Sequence, residues 1–434
     1  MKTLLISANT ERINLPALPL GLALVGAAAR EAGHDVTFLN LMSLGDAGVA
    51  VRVAIAASSP DVVGISVRNI DDQTMQGTRF LLEPVRHIVS ACRASTNAPI
   101  IVGGAGYSIF PEPALSYLSA DIGVRGEGER MFPALLARLE RREDLSGLPG
   151  VLAAGRGGGA APAFVTDLDE LPFPAYDAWV PADPGAPDAW APVQSRRGCP
   201  LDCSYCSTAS IEGTATRARS PQLVAEEISR AAAAGFRRVY FVDNTFNLPA
   251  AYALELCRQI ERLDLGLSWR CILYPHDVGD ELVRAMARAG CVEASLGFES
   301  GSPRVLRAMN KRYTSEDVRH ISEMLAERGI LRHGFLLLGG PGETRESVDE
   351  SLAFAASLRL DSLKVTLGIR IYPGTPLART ALQEGTISPD DDLLRPRFYL
   401  APGLEQELRH LSGGPQELTR EEDGLGTSQP GLSG

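Results

Sequence analysis

Short apolar, β-branched runs alternate with helix-length amphipathic stretches through most of this chain, and that alternation leaves few folds open. A strand that is apolar on both faces must be covered on both faces, and an intervening helix makes successive strands parallel. Up to residue 148 the candidate strands are Thr3–Ser7, Val36–Asn40, Val62–Ser66, Ile100–Gly103 and Ile122–Val124. Helical patterns such as Leu20–Ala32 and Phe80–Cys92 lie between them. The prediction for residues 1–148 is an α/β, doubly wound, Rossmann-like domain, with ligands held beyond the carboxyl ends of its strands.

The texture changes at residue 149. Residues 149–192 include GRGGGAAPAF and LPFPAYDAWVPADPGAP, and proline removes donors and fixes φ, so an extended linker is expected. A second alternating series starts at Val193. Its candidate strands are Val193–Arg197, Arg238–Val242, Ser268–Tyr274, Val292–Phe298, Arg332–Leu338 and Leu363–Ile371. Its candidate helices are Pro221–Gly235, Ala250–Leu263, Asp277–Ala289, Ser315–Arg328 and Arg345–Leu358. Six strands alternating with five helices predict a partial (β/α)6 barrel over residues 193–386, with its chemistry at the carboxyl ends of the strands. Residues 387–434 form a C-terminal extension. From about residue 412 it is polar and rich in Gly and Pro, and a disordered tail is expected there.

Composition removes several function classes. The net charge of −11 gives no basic footprint for nucleic acid. No apolar run approaches the length of a membrane span, and the N-terminal run is too short for a signal peptide, so a cytoplasmic protein is expected. Seven cysteines, an odd number in a chain of 434 residues, argue against a secreted disulfide framework. Cys92, Cys257, Cys271 and Cys291 fall in apolar helix or strand patterns and read as small core residues.

The other three cysteines crowd into SRRGCPLDCSYCSTASIEG, as C-x3-C-x2-C directly after a candidate strand. Thiolates are the usual ligands of iron–sulfur clusters. Three of them leave one iron of a four-iron cluster without a protein ligand, and an open position marks a metal site that does chemistry. A structural zinc site would need a fourth ligand, and no other Cys or His lies between residues 93 and 256.

This spacing, with Tyr205 just before the last cysteine, resembles the radical S-adenosylmethionine enzymes. The resemblance implies that Cys199, Cys203 and Cys206 hold a [4Fe–4S] cluster. Its open iron would chelate S-adenosylmethionine and cleave it reductively to a 5′-deoxyadenosyl radical. Four later segments resemble those that line the S-adenosylmethionine pocket in that family: VYFVDNTFN, ASLGFESGS, GFLLLGGPGET and IRIYPGTPL. They nominate Asp243, Asn244, Glu299, Gly339, Gly340 and Tyr372, together with Tyr205, as contacts of S-adenosylmethionine. Ordinary turns, helix caps or a buried ion pair at Glu299 are the plain structural alternatives.

The N-terminal segments PDVVGISVRN, APIIVGGAGYS and DIGVRGEGE resemble the cobalamin-binding domain joined to one branch of that family. By that resemblance Ser66, Val67, Arg68, Gly103, Gly104, Gly126 and Glu127 would contact cobalamin. The loop after the first strand, SANTERINLPALPLG, lacks the Asp-x-His-x-x-Gly histidine of many such domains, and His34 reads as a helix-end or surface residue. Neither G-x-G-x-x-G after the first strand nor a Walker motif is present. The function implied is methyl transfer from S-adenosylmethionine to an unactivated carbon of a small-molecule or lipid substrate, with an electron donor such as a flavodoxin or ferredoxin. Alternatives are a cyclase or rearrangement enzyme of the same branch, a methylthiotransferase, or a non-catalytic cobalamin or metal sensor. The methylthiotransferases carry a second cluster on three N-terminal cysteines, and only Cys92 precedes Cys199 here. Arg196 and Arg197 could contact a carboxylate, tune the cluster or stay solvated, and His276 could reach a substrate.

Overall fold

In the computed structural model, residues 1–11, 18–42, 44–155, 161–175, 183–405 and 408 are described, with the backbone alone of 416–421 and 424–427. The first half builds β1 (Lys2–Ser7), α1 (Leu20–Glu31), β2 (Asp35–Asn40), α2 (Ala47–Ser58), β3 (Val62–Ser66), α3 (Leu82–Ser95), β4 (Ile100–Gly103), α4 (Ala105–Ile109), α5 (Pro111–Leu118), β5 (Ile122–Val124), α6 (Gly128–Arg141) and β6 (Val151–Ala153). Strand order is β2-β1-β3-β4-β5-β6, parallel throughout except for β6. The chain reverses direction across the sheet between β1 and β3, so their carboxyl ends diverge into a crevice where ligands bind in such sheets. Both faces are packed: Leu4, Ile6, Val63 and Val102 go into one apolar cluster, Leu5, Val62, Ile101 and Val124 into the other.

β6 lies inside the stretch expected to be linker. Its backbone pairs with β5, and two buried residues, Val151 and Leu152, anchor it. Residues 156–160 and 176–182 of that stretch lie outside the described residues.

The second half runs β7 (Ala191–Val193), β8 (Arg196–Arg197), α7 (Thr208–Glu212), β9 (Arg217–Ala218), α8 (Pro221–Ala233), β10 (Arg238–Phe241), α9 (Ala250–Leu263), β11 (Ser268–Leu273), α10 (Asp280–Arg288), β12 (Cys291–Glu299), α11 (Pro303–Ala308), α12 (Ser315–Glu327), β13 (Leu331–Leu338), α13 (Arg345–Ser357), β14 (Ser362–Leu367), β15 (Ile369–Arg370), α14 (Pro376–Gln383), β16 (Phe398–Tyr399), β17 (Gln416–Glu421) and β18 (Gly424–Thr427). β7, β10, β11, β12, β13 and β14 pair in that order, all parallel. The first strand is shifted from the expected Val193–Arg197, because Arg196 and Arg197 pair with β9 instead and turn the chain into the cysteine loop.

Part of the expected disordered tail is ordered. β17 pairs antiparallel with the free edge of β14, and β18 with β17. An open strand edge offers unpaired backbone groups to any extended segment, whatever its side chains. Residues 412–415, 422–423 and 428–434 lie outside the described residues.

The barrel helices cover the outer face only. In α9 the buried residues Ala253, Leu256, Cys257 and Ile260 follow helical spacing and meet Trp269, Cys271 and Leu273 of β11. Thr314 and Asp317 close a capping box at the start of α12. The inner positions alternate with these: Ser268, Arg270 and Ile272 on β11 are half-buried and belong to no apolar cluster. Barrels of eight strands fill this space with branched side chains. Here it is open and polar.

The halves are joined by buried ion pairs. Asp71, after β3, meets Arg370 at 2.8 Å, with side chains only 2% and 3% exposed. Arg197 reaches Glu129 at 2.6 Å and Arg217 reaches Glu127 at 2.7 Å.

Candidate functional site

The cysteine loop leaves β8 through Gly198, whose φ is +81° and whose absent Cβ would lie 2.1 Å from the Ala215 carbonyl oxygen. Only glycine fits this turn. The loop is held from three sides. The Cys199 N–H bonds to the Gly213 carbonyl, the Ser204 N–H to the Met309 carbonyl, and the Leu377 N–H to the Ser204 carbonyl. Cys199 is buried, Cys203 half-buried and Cys206 exposed. The three thiols feel one another electrostatically, and burial pushes the Cys199 and Cys203 thiols up from the usual value. Among the described residues no three His, Cys, Asp or Glu side chains converge on a single-ion position, as a zinc site requires. A [4Fe–4S] cluster takes each thiolate on a different iron, so its ligands need not converge, and this trio fits one.

Asp243, nominated for S-adenosylmethionine, is 1% exposed and faces the loop. Its carboxylate accepts from the Ser195 and Arg196 N–H groups at 2.8 and 3.0 Å and from Ser195 Oγ at 2.6 Å. It braces the start of the loop and does not line the cavity. Asn244 turns the other way. Its amide donates to Glu212 at 2.8 Å, and Thr208 links it to the Cys206 thiol, with contacts of 3.4 and 3.2 Å. Glu212, unnoticed in the sequence, also accepts from Gln194 and the Gly198 N–H, and burial pushes its pKa up.

On the far side of the loop, Glu299 and Tyr205 come together around a residue that the sequence reading missed. The Lys311 ammonium lies 3.3 Å from Glu299 and 5.1 Å from the Tyr205 ring, beside Cys203 and above Tyr274 and Tyr313. Burial works against its charge, but Glu299, then Cys203, more than offset this and raise its pKa. Burial, then Glu299, holds the Tyr205 phenol well above its ordinary value. Nothing in MNKRY marks Lys311; only the fold brings it under the loop.

Gly339 and Gly340 end β13, and both N–H groups donate to the Glu343 carboxylate, which caps the turn. Tyr372 is half-buried at the joint between the halves, where its hydroxyl accepts from Gln73 at 2.9 Å. These three are engaged by the protein itself. His276 is exposed and outside the cavity. Arg196 is buried against the carbonyls of Phe246 and Leu248, and Arg197 against Glu127 and Glu129, so neither is solvated.

The cobalamin candidates lie across from the loop. A cavity of about 600 Å³ runs from the carboxyl ends of β1, β3, β4 and β5 to the mouth and inner face of the barrel. Ser66, Arg68, Gly103, Gly104, Gly126 and Glu127 line it, as do Gln194, Thr208, Glu212 and Asn244. Leu5, Val25, Gly64 and Phe132 form an apolar slot at its inner end. Gly104 has φ +104°, and a Cβ there would lie 2.6 Å from the Val67 carbonyl oxygen. Val67 is buried and works through its backbone, donating to Gly103 and accepting from Gly106. Glu127 is tied to Arg217 and the Val165 N–H. Ser108, also missed, bridges the glycine turns: its hydroxyl donates to the Gly104 carbonyl and accepts from the Gly126 N–H.

The apolar slot opening onto bare strand ends fits a large cofactor with a flat aromatic base. No histidine lines the cavity among the described residues. His34 follows α1 as expected, but it is buried against the amino terminus, at the opposite edge of the sheet. Cys92, Cys257, Cys271 and Cys291 are all buried.

The model of the Radical SAM superfamily matches residues 193–355, and that of the B12 binding domain matches residues 6–136. An uncharacterized methyltransferase of Pyrococcus horikoshii is 28% identical over 88% of this chain and 83% of its own. Tryptophan 2-C-methyltransferase of Streptomyces laurentii is 25% identical over 87% of this chain and 74% of its own. The solved structure of the radical S-adenosylmethionine methyltransferase TsrM of Kitasatospora setae, with cobalamin and a [4Fe–4S] cluster bound, superposes with a TM-score of 0.81. It covers 93% of this chain and 84% of that one, at 24% identity, which is a likeness of fold. Among the described residues no helix is long and apolar enough to cross a membrane.

Proposed function

We propose, for a chain that belongs to the radical SAM superfamily and carries a B12-binding domain ahead of its barrel, that it transfers a methyl group from S-adenosylmethionine to an unactivated carbon of a small molecule. The carrying observation is one cavity that joins the bare glycine edge of the first sheet to α7, the helix that directly follows the three cysteines, where Thr208 touches the Cys206 thiol. When bound, the cluster supplies the electron that cleaves S-adenosylmethionine, and the cobalamin supplies a metal able to relay a methyl group.

The chain's own part is to hold, orient and exclude water. Cys199, Cys203 and Cys206 hold the cluster. Asp243 fixes the loop by its three hydrogen bonds to Ser195 and Arg196, so the thiols keep their spacing. Asn244 and Glu299 flank the loop and offer an amide and a carboxylate to the amino-acid end or ribose of S-adenosylmethionine. Lys311 balances the Glu299 charge in a site with little water. Ser66, Arg68, Gly103, Gly104 and Gly126 receive the cobalamin. Asp71–Arg370 and the Glu127, Glu129, Arg197 and Arg217 group hold the two halves in register, which two cofactors from different domains require.

A methylthiotransferase reading is disfavoured because Cys92 alone precedes Cys199 and is wholly buried. The protein is read as cytoplasmic, without a nucleic-acid partner, and served by a flavodoxin or ferredoxin. The test is an anaerobic incubation of reconstituted protein with reductant and S-adenosylmethionine carrying a deuterated methyl group. Production of 5′-deoxyadenosine or S-adenosylhomocysteine, with label entering a candidate substrate, supports methyl transfer. Label that never leaves the sulfonium contradicts it.

A further inference from the structure

The barrel lumen holds a guanidinium that, among the described residues, makes no hydrogen bond and only a long ion pair. Arg270 points inward from the middle of β11, while its neighbours Trp269 and Cys271 pack outward. Its Cζ lies over the ring of Trp190 at 4.5 Å and over that of Tyr240 at 4.6 Å. Its Nε is shielded from solvent and has no partner. The nearest carboxylate, Glu293, stands 3.6 Å away, too far for a hydrogen bond. Arg68, from the other half, lines the same cavity, and the Tyr240 hydroxyl feels both cations. Burial, the largest influence, keeps that phenol protonated and able to donate.

Two aromatic faces fix a guanidinium's plane, cover its faces and leave its donor edge free. That edge matches the paired oxygens of a carboxylate or phosphate. Donors kept from water without a partner are costly, and the cost is removed when an acceptor arrives. We infer that Arg270, with the Tyr240 hydroxyl, anchors an anionic group of the substrate, a carboxylate or phosphate. The anion sits below the strand ends, and the rest of the molecule reaches up toward Asn244 and the cysteine loop. This rests on the methyl-transfer reading only for the identity of the molecule that carries the anion.

The test is anaerobic calorimetry of the protein reconstituted with cluster and cobalamin, titrated with benzoate, phenyl phosphate and the neutral benzamide. At least one anion binds about tenfold or more tighter than benzamide, as a charge-assisted pair requires, and the tighter of the two identifies the anion. Arg270→Gln abolishes the preference. Glu293→Gln, which removes a competing carboxylate, raises anion affinity severalfold, a gain that no misfolded variant would show. Iron and cobalt contents stay at wild type in both. Equal binding of benzamide and the anions, or a preference that survives Arg270→Gln, overturns the inference. So does loss of cobalt from Arg270→Gln with anion binding intact, which would give the guanidinium to the cofactor's phosphodiester. Wild-type protein that takes up no cobalt would refute the methyl-transfer reading instead, and the anion preference would still be measurable on it.

Discussion

The two halves use the same device, the carboxyl edge of a parallel sheet, in opposite ways. In the first, both faces are packed with apolar side chains and the edge is stripped to backbone at Gly103 and Gly104. In the second, the outer face is packed, and the inner face is left hollow and lined by Trp190, Tyr240 and Arg270. A bare backbone edge suits a large cofactor that needs room. A lumen of charged and aromatic groups suits a smaller ligand that must be oriented. The lesson is that sheet architecture positions a site, and the residues at its edge decide what kind of ligand is held.

That contrast can be broken by variants that should damage one half and spare the other. Replacing Cys199, Cys203 or Cys206 by Ala should have the largest effect, reducing iron from about four per chain to near none. S-adenosylmethionine cleavage should vanish with it, while cobalt content stays the same. Metal analysis that found full iron in any of the three would remove the cluster assignment.

Next comes Gly104→Val, where φ +104° and the Val67 carbonyl leave no room for a side chain. Strain of about 1–3 kcal/mol at the cofactor edge should weaken cobalamin loading by about tenfold or more. Iron should be retained, and visible absorption reads both. Equal loss of iron and cobalt would mean the halves do not load separately.

Asp71→Ala leaves the Arg370 guanidinium buried with only the carbonyls of Ile371 and Leu393. Leaving one buried charge unpaired should cost about 3 kcal/mol, read as a lower denaturation midpoint. An unchanged midpoint would show that this clasp does not couple the halves. The smallest effect is expected at Thr314→Ala, which removes the exposed α12 cap. It should cost about 1 kcal/mol of stability and leave both cofactor contents unchanged.

How much of this was legible in the sequence differs between the halves for a physical reason. β3, β4 and β5 fall where their apolar runs predict, and α9 matches its pattern residue for residue. α7, α11 and α14 were missed because short helices carry too little periodicity to stand out. β6 was missed because a three-residue edge strand carries too little pattern, and β17 because it is held by backbone pairing to β14 and β18.

In the site, thiols at fixed local spacing were readable because their chemistry and their geometry are both local. Lys311, Glu212, Ser108 and Arg270 were not, since each gains its meaning from partners that only the fold supplies. Asp243 was noticed as a candidate contact of S-adenosylmethionine, and its hydrogen bonds to Ser195 and Arg196 are what the fold adds.

The central claim is that one chain holds a three-thiolate cluster in its second half and a cobalamin in its first. Anaerobic purification with iron, sulfide and cobalt analysis tests it most directly. About four irons and about one cobalt per chain are predicted, with cobalt unaffected by loss of a cysteine. A chain that binds the cluster but takes up no cobalt would contradict it.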